Sequence, residues 1–146
     1  MYDAVLVPVD GSDHALAAAR HALGLAETYG ATVHGLYVVD TGTSWLTVSK
    51  NEVREGLREV GEAEAEQALS DLEAVAADYD ADLSTELREG DPDEEILAAA
   101  DAHEVDLVVM GTHGREGLRR RLVGSVAERV VREADPPVMT VTAGGD

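Results

Sequence analysis

Cysteine and phenylalanine are both absent from this chain, and lysine occurs only once, at Lys50. Without cysteine, the chain can form neither a disulfide framework nor a thiolate metal site. The aromatic residues are one Trp and four Tyr. No run reaches the roughly 18 apolar residues of a membrane span, and no basic segment precedes the apolar run near the N-terminus. These absences predict a cytoplasmic protein that does not enter membranes.

Acidic residues dominate the charge: 30 Asp and Glu face 11 Lys and Arg, so the formal net charge is −19. Such a charge repels duplex DNA and anionic lipid, which argues against nucleic acid or a membrane surface as a partner. Dense carboxylates with almost no lysine also resemble proteins of halophilic organisms, in which molar salt shortens the Debye length to about 3 Å and screens self-repulsion. A halophilic protein is therefore expected, and an acidic mesophilic protein is the alternative.

Short apolar runs alternate with helical periodicity, which predicts an α/β fold in one domain, residues 1–146. Right-handed crossovers arrange the elements as a doubly wound, Rossmann-like, five-stranded parallel sheet of order 3-2-1-4-5, with helices on both faces. The predicted strands are residues 4–9, 32–39, 83–88, 105–110 and 138–141, with the third near a sheet edge, and the predicted helices are residues 14–30, 50–79, 92–103 and 126–133.

Several residues mark where these elements begin and end. Pro8 cannot donate to a sheet ladder and is expected at the carboxyl end of the first strand. Asp91 is expected to cap the third helix. Ser12 and Asp13 are expected to begin the first helix. Together with His14 they have the residue types of a hydrolase, but adjacent residues cannot form a catalytic triad, whose members come from separate segments.

Between Met110 and Val126 the chain reads MGTHGREGLRRRLVGSV, a glycine-rich turn between a predicted strand and a predicted helix. Backbone N–H groups in such a turn, and the unpaired amides of a helix N-terminus, stabilise anions. The segment lacks the Gly-Lys-Ser/Thr of a P-loop and the Gly-x-Gly of a dinucleotide fingerprint. In the predicted sheet it meets the turn after the first strand at the topological switch point, where ligands bind. A phosphate site is predicted there.

The spacing of Gly111, two residues, Gly114, nine residues and then Gly124-Ser125 resembles the ATP-binding signature of the universal stress protein family. The resemblance extends over essentially the whole chain, through PVDGS, YVVD, MGTHG, GSVAERV and PPVMTV. It implies an ATP-binding homodimer with a regulatory role in the stress response, and it leaves open whether Mg²⁺ accompanies ATP. The expected dimer interface is the apolar edge formed by the last strand, Val138, Met139, Thr140 and Val141.

The candidate nucleotide-binding residues lie at the ends of the first, second and fourth strands and at the start of the last helix. By resemblance, Asp10 would accept hydrogen bonds from the ribose, and Val9 and Val38 would flank the adenine. No catalytic residue and no metal ligand is predicted. The complete set is Pro8, Val9, Asp10, Val38, Met110, Gly111, His113, Gly114, Arg115, Gly124, Ser125 and Val126.

Structural roles compete with these assignments. Asp10 also suits a turn before a helix. Ser125 and Glu128 form a Ser-x-x-Glu capping box, which uses the same amides as a bound phosphate would. Gly111 and Gly114 could serve the turn alone. All three alternatives stay open at the level of sequence.

Four of the ten arginines fall within seven residues, which gives a local positive field in an acidic chain. Guanidinium groups suit phosphate oxygens. Arg115 is the predicted ligand contact because it follows Gly114 directly. At least two of the four, which also include Arg119, Arg120 and Arg121, are expected to lie on a solvated helix face.

Two other functions compete with regulatory ATP binding. A weak ATPase could use the same site, but it needs a water-positioning group and a Mg²⁺ ligand, and neither Asp10 nor His113 is diagnostic of one. A flavodoxin-like electron carrier is disfavoured because flavin sites usually stack the ring on aromatic side chains, which are scarce in this chain.

Overall fold

A computed structural model describes residues 2–40, 51–112 and 125–142, and for residues 51–59 it describes the helix but not the side chains. Five parallel strands form one sheet of order β3-β2-β1-β4-β5, which confirms the predicted α/β topology. The strands are β1 (Ala4–Pro8), β2 (Thr32–Asp40), β3 (Asp82–Gly90), β4 (Leu107–Gly111) and β5 (Val138–Val141), and the helices are α1 (Asp13–Tyr29), α2 (Asn51–Ala76), α3 (Pro92–Ala102) and α4 (Ser125–Glu133).

Most element boundaries fall within one residue of the prediction, and two of the larger differences have a hydrogen-bonding cause. The fourth strand was predicted from Val105 but begins at Leu107, because the amide of Val105 donates to Ala100 in a turn after α3. Helix α2 was predicted to reach Tyr79 but ends at Ala76, after which Tyr79 donates to Ala76 in a tighter turn. The third strand does lie at an edge of the sheet, and it is three residues longer than predicted, nine rather than six.

The two faces of the sheet build two apolar clusters, as expected when helices cover both sides. Val33, Tyr37 and Val39 of β2 point to the face covered by α1 and α2. Leu36 and Val38 point to the face covered by α3 and α4. Within the described ranges no polar or charged residue is fully buried. The carboxylates of these ranges therefore lie at least partly where solvent and counter-ions can reach them, although Oδ1 of Asp106 is itself buried without a hydrogen-bond partner.

Two glycines allow α2 to approach the sheet closely. A Cβ atom at Gly35 of β2 would overlap the side chain of Leu72, and one at Gly61 of α2 would lie 2.7 Å from Cγ1 of Val39. Glycine inside a helix normally weakens it. At Gly61 the close packing on Val39 explains why glycine is present despite this cost.

Candidate functional site

The turn after β1 is held by its own hydrogen bonds. The amide of Val9 donates to the carbonyl of Leu36 at 2.8 Å, which ties the end of β1 to β2. Oδ1 of Asp10 accepts from the amide of Ser12 at 3.0 Å. Gly11 has φ of 86°, the left-handed conformation that glycine adopts without strain. The turn role of Asp10 is thus observed, and its contact with a ligand stays a prediction.

Ser12 lies at the start of α1, as predicted, and it caps the helix. Its Oγ accepts a hydrogen bond from the amide of Ala15 at 3.1 Å, and the helix begins at Asp13. Asp91 likewise occupies the N-cap position of α3, followed by Pro92, but its side chain makes no capping hydrogen bond. The carboxylate that accepts an amide proton at this helix start belongs to Asp93, which bonds to the amide of Glu94 at 2.9 Å.

The end of β4 lies against the first turn of α1. A Cβ atom at Gly111 would come within 2.8 Å of both the carbonyl carbon and the Cβ of His14. Any larger residue would therefore force β4 and α1 apart. This contact places the end of β4 beside the start of α1 at the carboxyl end of the sheet, and it gives Gly111 a structural role whether or not a ligand binds.

Helix α4 begins beside this edge, on the face that α3 also covers. Ser125 is its first residue and is exposed, whereas Val126 packs on the same apolar cluster as Val38 and Met110. Oε2 of Glu128 accepts from Nη1 of Arg132 at 3.1 Å, one turn further along the helix. The Glu128 carboxylate thus serves an ion pair along α4.

Arg129 fixes α4 relative to α3. Its Nη1 donates to Oδ2 of Asp93 at 2.8 Å, and its Nε donates to Oε2 of Glu133 at 3.2 Å. These hydrogen bonds raise the pKa of Arg129, the bond to Asp93 being the larger cause. Burial alone would raise the pKa of Asp93. The hydrogen bonds that its carboxylate accepts, above all from Arg129, outweigh burial and lower this pKa. The sequence did not single out this pair, which is 36 residues apart.

Besides Gly111 and Ser125, the candidate site residues divide into three groups. Pro8, Val9 and Asp10 follow one another at the end of β1, and Val9, at 5% exposure, packs in the cluster under α1 and α2. Met110, also 5% exposed, joins Val38 and Val126 in the other cluster. The predictions for His113, Gly114, Arg115, Gly124 and the arginines at 119–121 lie outside the described residues.

One residue that shapes this edge was missing from the predicted set. Gly11, in the left-handed region, allows the chain to turn from β1 to the cap of α1. The Asp10-Gly11 dipeptide is a common turn signal and marks this turn in the sequence, although Gly11 was not counted among the nucleotide-binding residues.

Residues 2–40, 51–112 and 125–142 contain no group of three or more His, Asp or Glu side chains arranged to hold a metal ion. Over the same ranges, no helix is long and apolar enough to span a membrane.

Comparison with known proteins agrees with the sheet order and with the family resemblance. The model of the universal stress protein family matches residues 1–142. Universal stress protein MJ0531 of Methanocaldococcus jannaschii is 38% identical over 141 residues, which is 97% of this chain and 82% of that protein.

Two solved structures show the same fold. Universal stress protein UspA from Lactobacillus plantarum superposes with a TM-score of 0.84 at 34% identity, covering 96% of this chain and 97% of its own. The universal stress protein from Archaeoglobus fulgidus, solved in complex with dAMP, gives a TM-score of 0.72 at 25% identity and covers 96% of this chain and 98% of its own. This chain belongs to the universal stress protein family.

Proposed function

We propose that this protein binds ATP at the carboxyl end of its sheet and acts as a regulatory protein of the stress response. The observation that carries the proposal is the sheet order, in which β1 and β4 are parallel neighbours whose carboxyl ends meet at the topological switch point. Ligands of open α/β sheets bind in this position. The dAMP complex of the Archaeoglobus fulgidus relative supports an adenine nucleotide as the ligand class.

In this proposal an apolar side chain contacts the adenine ring and a carboxylate contacts the ribose. Val38 is partly buried at the carboxyl end of β2, where its side chain would contact an adenine ring. Asp10 would contact the ribose with the carboxylate that also holds the turn through Ser12. A carboxylate oxygen has more than one lone pair, so the two roles are compatible.

The phosphates are assigned to the glycine-rich turn and the start of α4. Ser125 supports this assignment because it is exposed at the first position of the helix, where backbone amides lack partners within the helix. Its hydroxyl would donate to a phosphate oxygen. The sequence motif alone assigns Gly114, Arg115 and Gly124 to the phosphates.

The experiment that tests the proposal is calorimetric titration with ATP and with AMP, in parallel, on the full chain freed of bound nucleotide. We expect one ATP per chain, tighter binding of ATP than of AMP, and a loss in ATP affinity of about 1 kcal/mol for Ser125→Ala, the value of a typical hydrogen bond. AMP affinity should change less, because the phosphates beyond the first are missing.

Ser70→Ala is the matched control, because Ser70 is an exposed serine on α2, which covers the opposite face of the sheet from α4. It should bind both nucleotides as the wild type does. Absence of heat and of any binding isotherm with either nucleotide would contradict the proposed function. Equal losses for Ser125→Ala and Ser70→Ala would contradict the assignment of the phosphates to α4.

The proposal includes a homodimer formed through β5. This strand is at the edge of the sheet, and its apolar residues Val138, Met139 and Val141 are only partly buried in the single chain. An apolar edge of this kind favours pairing with a second copy. Replacement of Val141 by Lys should convert the dimer to a monomer, measured by light scattering at high salt.

The control for this variant is Thr85→Lys, which places the same charge on an exposed position of β3, the opposite edge. Thr140→Lys offers a second test on β5, since Thr140 is exposed and its replacement removes no apolar packing. Circular dichroism checks that each variant is folded. An unchanged dimer mass for both β5 variants would place the interface elsewhere.

A further inference from the structure

A group of titratable side chains lies away from the candidate nucleotide site, between the middle of the sheet and the end of α3. His34 of β2 has the same parity as Leu36 and so points to the face covered by α3. Ser84 and Glu86 point to this face from β3, where they pair in register with His34 and Leu36. His103 ends α3 as its C-cap residue.

The contacts in this group join three elements. The rings of His34 and His103 stack with centroids 4.5 Å apart and an interplanar angle of 18°. Nδ1 of His34 lies 2.8 Å from Oγ of Ser84. Nε2 of His103 lies 2.9 Å from Oε1 of Glu86 and must donate to it when that carboxyl is ionised. We call His34, His103 and Glu86 the histidine clasp.

Charged groups around the clasp come from β3 and α3. Arg88 donates from Nε to Oε2 of Glu86 at 2.9 Å and from Nη1 to Oε1 of Glu95 at 3.3 Å. On the side of β1, the neighbour of His34 in register is the apolar Leu6. The opposite face of β2 presents Gly35 to Leu72 of α2 and adds no charge to the clasp.

Charge balance makes the stack sensitive to protonation. A neutral His34 stacked on His103 brings together one cation at most, and Glu86 and Arg88 already neutralise each other in part. When both rings are protonated, two positive charges face each other across the 4.5 Å stack, and the single carboxylate nearest to them is shared with Arg88.

We propose that the histidine clasp is a proton-sensitive contact that holds the end of α3 on β2 and β3 while His34 is neutral, and that loosens when acidification charges both rings. Loosening the end of α3 would disturb the packing on the face of the sheet that also holds Val38, four residues after His34 in β2. The proposal concerns the nucleotide-free protein and does not depend on the proposed function.

The direction of the pH effect follows from the surroundings of His34. Burial and the neighbouring His103 hold the pKa of His34 below its usual value, and Glu86 opposes them in part. The unfolded chain then binds a proton on His34 more readily than the folded chain does. The stabilising contribution of neutral His34 is present above the unfolded pKa of about 6.5 and is lost as pH falls below it.

The carboxyl of the clasp titrates in a separate, more acidic range. Burial acts to raise the pKa of Glu86, but hydrogen bonds from His103 and Arg88 outweigh it and lower that pKa. Glu86 therefore stays ionised between about pH 7.5 and 5.5, since its unfolded value is only about 4.3. Changes within this window report on histidine protonation.

The test is urea unfolding of the nucleotide-free full chain at about pH 7.5 and 5.5, at one KCl concentration in which the protein is folded at both values. We expect acidification to raise the unfolding equilibrium constant of the wild type at least about threefold more than that of His34→Gln. His21→Gln, at an exposed histidine on α1, is the matched control and should follow the wild type.

Glu86→Gln provides a second variant with the opposite expected result. It removes the carboxylate that favours protonated rings, so its loss of stability on acidification should be steeper than that of the wild type. An NMR titration of the wild-type histidine rings gives a third measurement that needs no variant, and His34 should titrate below its usual value. Equal pH dependence of the wild type and His34→Gln, or titration of His34 at or above its usual value, would overturn the proposal.

Discussion

Gly124→Val is expected to abolish ATP binding, with a loss of about a hundredfold or more in affinity, while the protein stays folded. The reason is the close approach of backbone amides to phosphate that this kind of site requires, which a branched side chain prevents. Gly124 directly precedes Ser125, the first residue of α4, and the first amides of a helix have no partners within the helix. Gly114→Val is expected to act in the same way on the turn.

Two further variants separate occlusion of the site from other effects. Gly24→Val adds the same side chain within α1, where a Cβ meets nothing within 4 Å, and it should bind ATP normally. Arg120→Ala should weaken binding only slightly, because one charge contributes less than access to the backbone. Circular dichroism and calorimetry on the same samples provide the readout. If Gly114→Val and Gly124→Val are folded and bind ATP at wild-type affinity, these glycines are only turn residues.

Gly111 is unsuitable for this test, although it belongs to the same motif. Its missing side chain makes room for the backbone of His14, so substitution would displace α1 from β4. Loss of binding in a Gly111 variant would therefore report on the fold. Packing therefore explains Gly111, whereas the phosphate assignment depends on Gly114 and Gly124.

Stability is expected to rise steeply with salt, which is the second large effect. The formal charge is −19, and within the described ranges no charged residue is buried, so the repulsion among carboxylates is open to screening by ions. Between about 0.1 M and 2 M KCl we expect a gain of about 2 kcal/mol or more, which raises the melting temperature by roughly 4–8 °C.

Screening of charge by KCl can be distinguished from the general stabilisation that excluded solutes produce. A neutral osmolyte at matched osmolality should raise the melting temperature less than KCl does. A variant with Glu66→Gln, Glu73→Gln and Asp78→Asn removes three exposed carboxylates and should flatten the curve at the low-salt end. A flat or falling curve for the wild type would show that its acidic surface is not an adaptation to salt.

Local signals in the sequence were sufficient for most of the fold. The last strand, residues 138–141, agrees with the prediction at both ends, and Pro136 and Pro137 mark where it begins. Ser12 was identified as part of a helix start, and the structure adds its hydrogen bond to Ala15. The sheet order followed from handed crossovers, which depend on element types and not on individual contacts.

Contacts between distant residues could not be predicted in this way. The approach of Gly111 to His14, the pairing of Arg129 with Asp93 and the stack of His34 on His103 each join segments that only the folded chain brings together. For Asp91, the residue type predicted the cap position, but the side-chain bond depends on a rotamer that spacing does not determine. The same limit applies to the candidate site. The positions of its strand ends could be predicted from the sequence, but the packing of Gly111 on His14 could not.

ATP is proposed to bind where the ends of β1 and β4 meet the start of α4. Mapping of backbone amide shifts by NMR during ATP titration tests this binding site most directly, because each amide reports its own position. We expect saturable shifts concentrated in residues 9–12, 110–112 and 125–126, with little change in β3 or the far end of α2. Shifts centred on β3 or α2, or no saturable shifts at all, would contradict it.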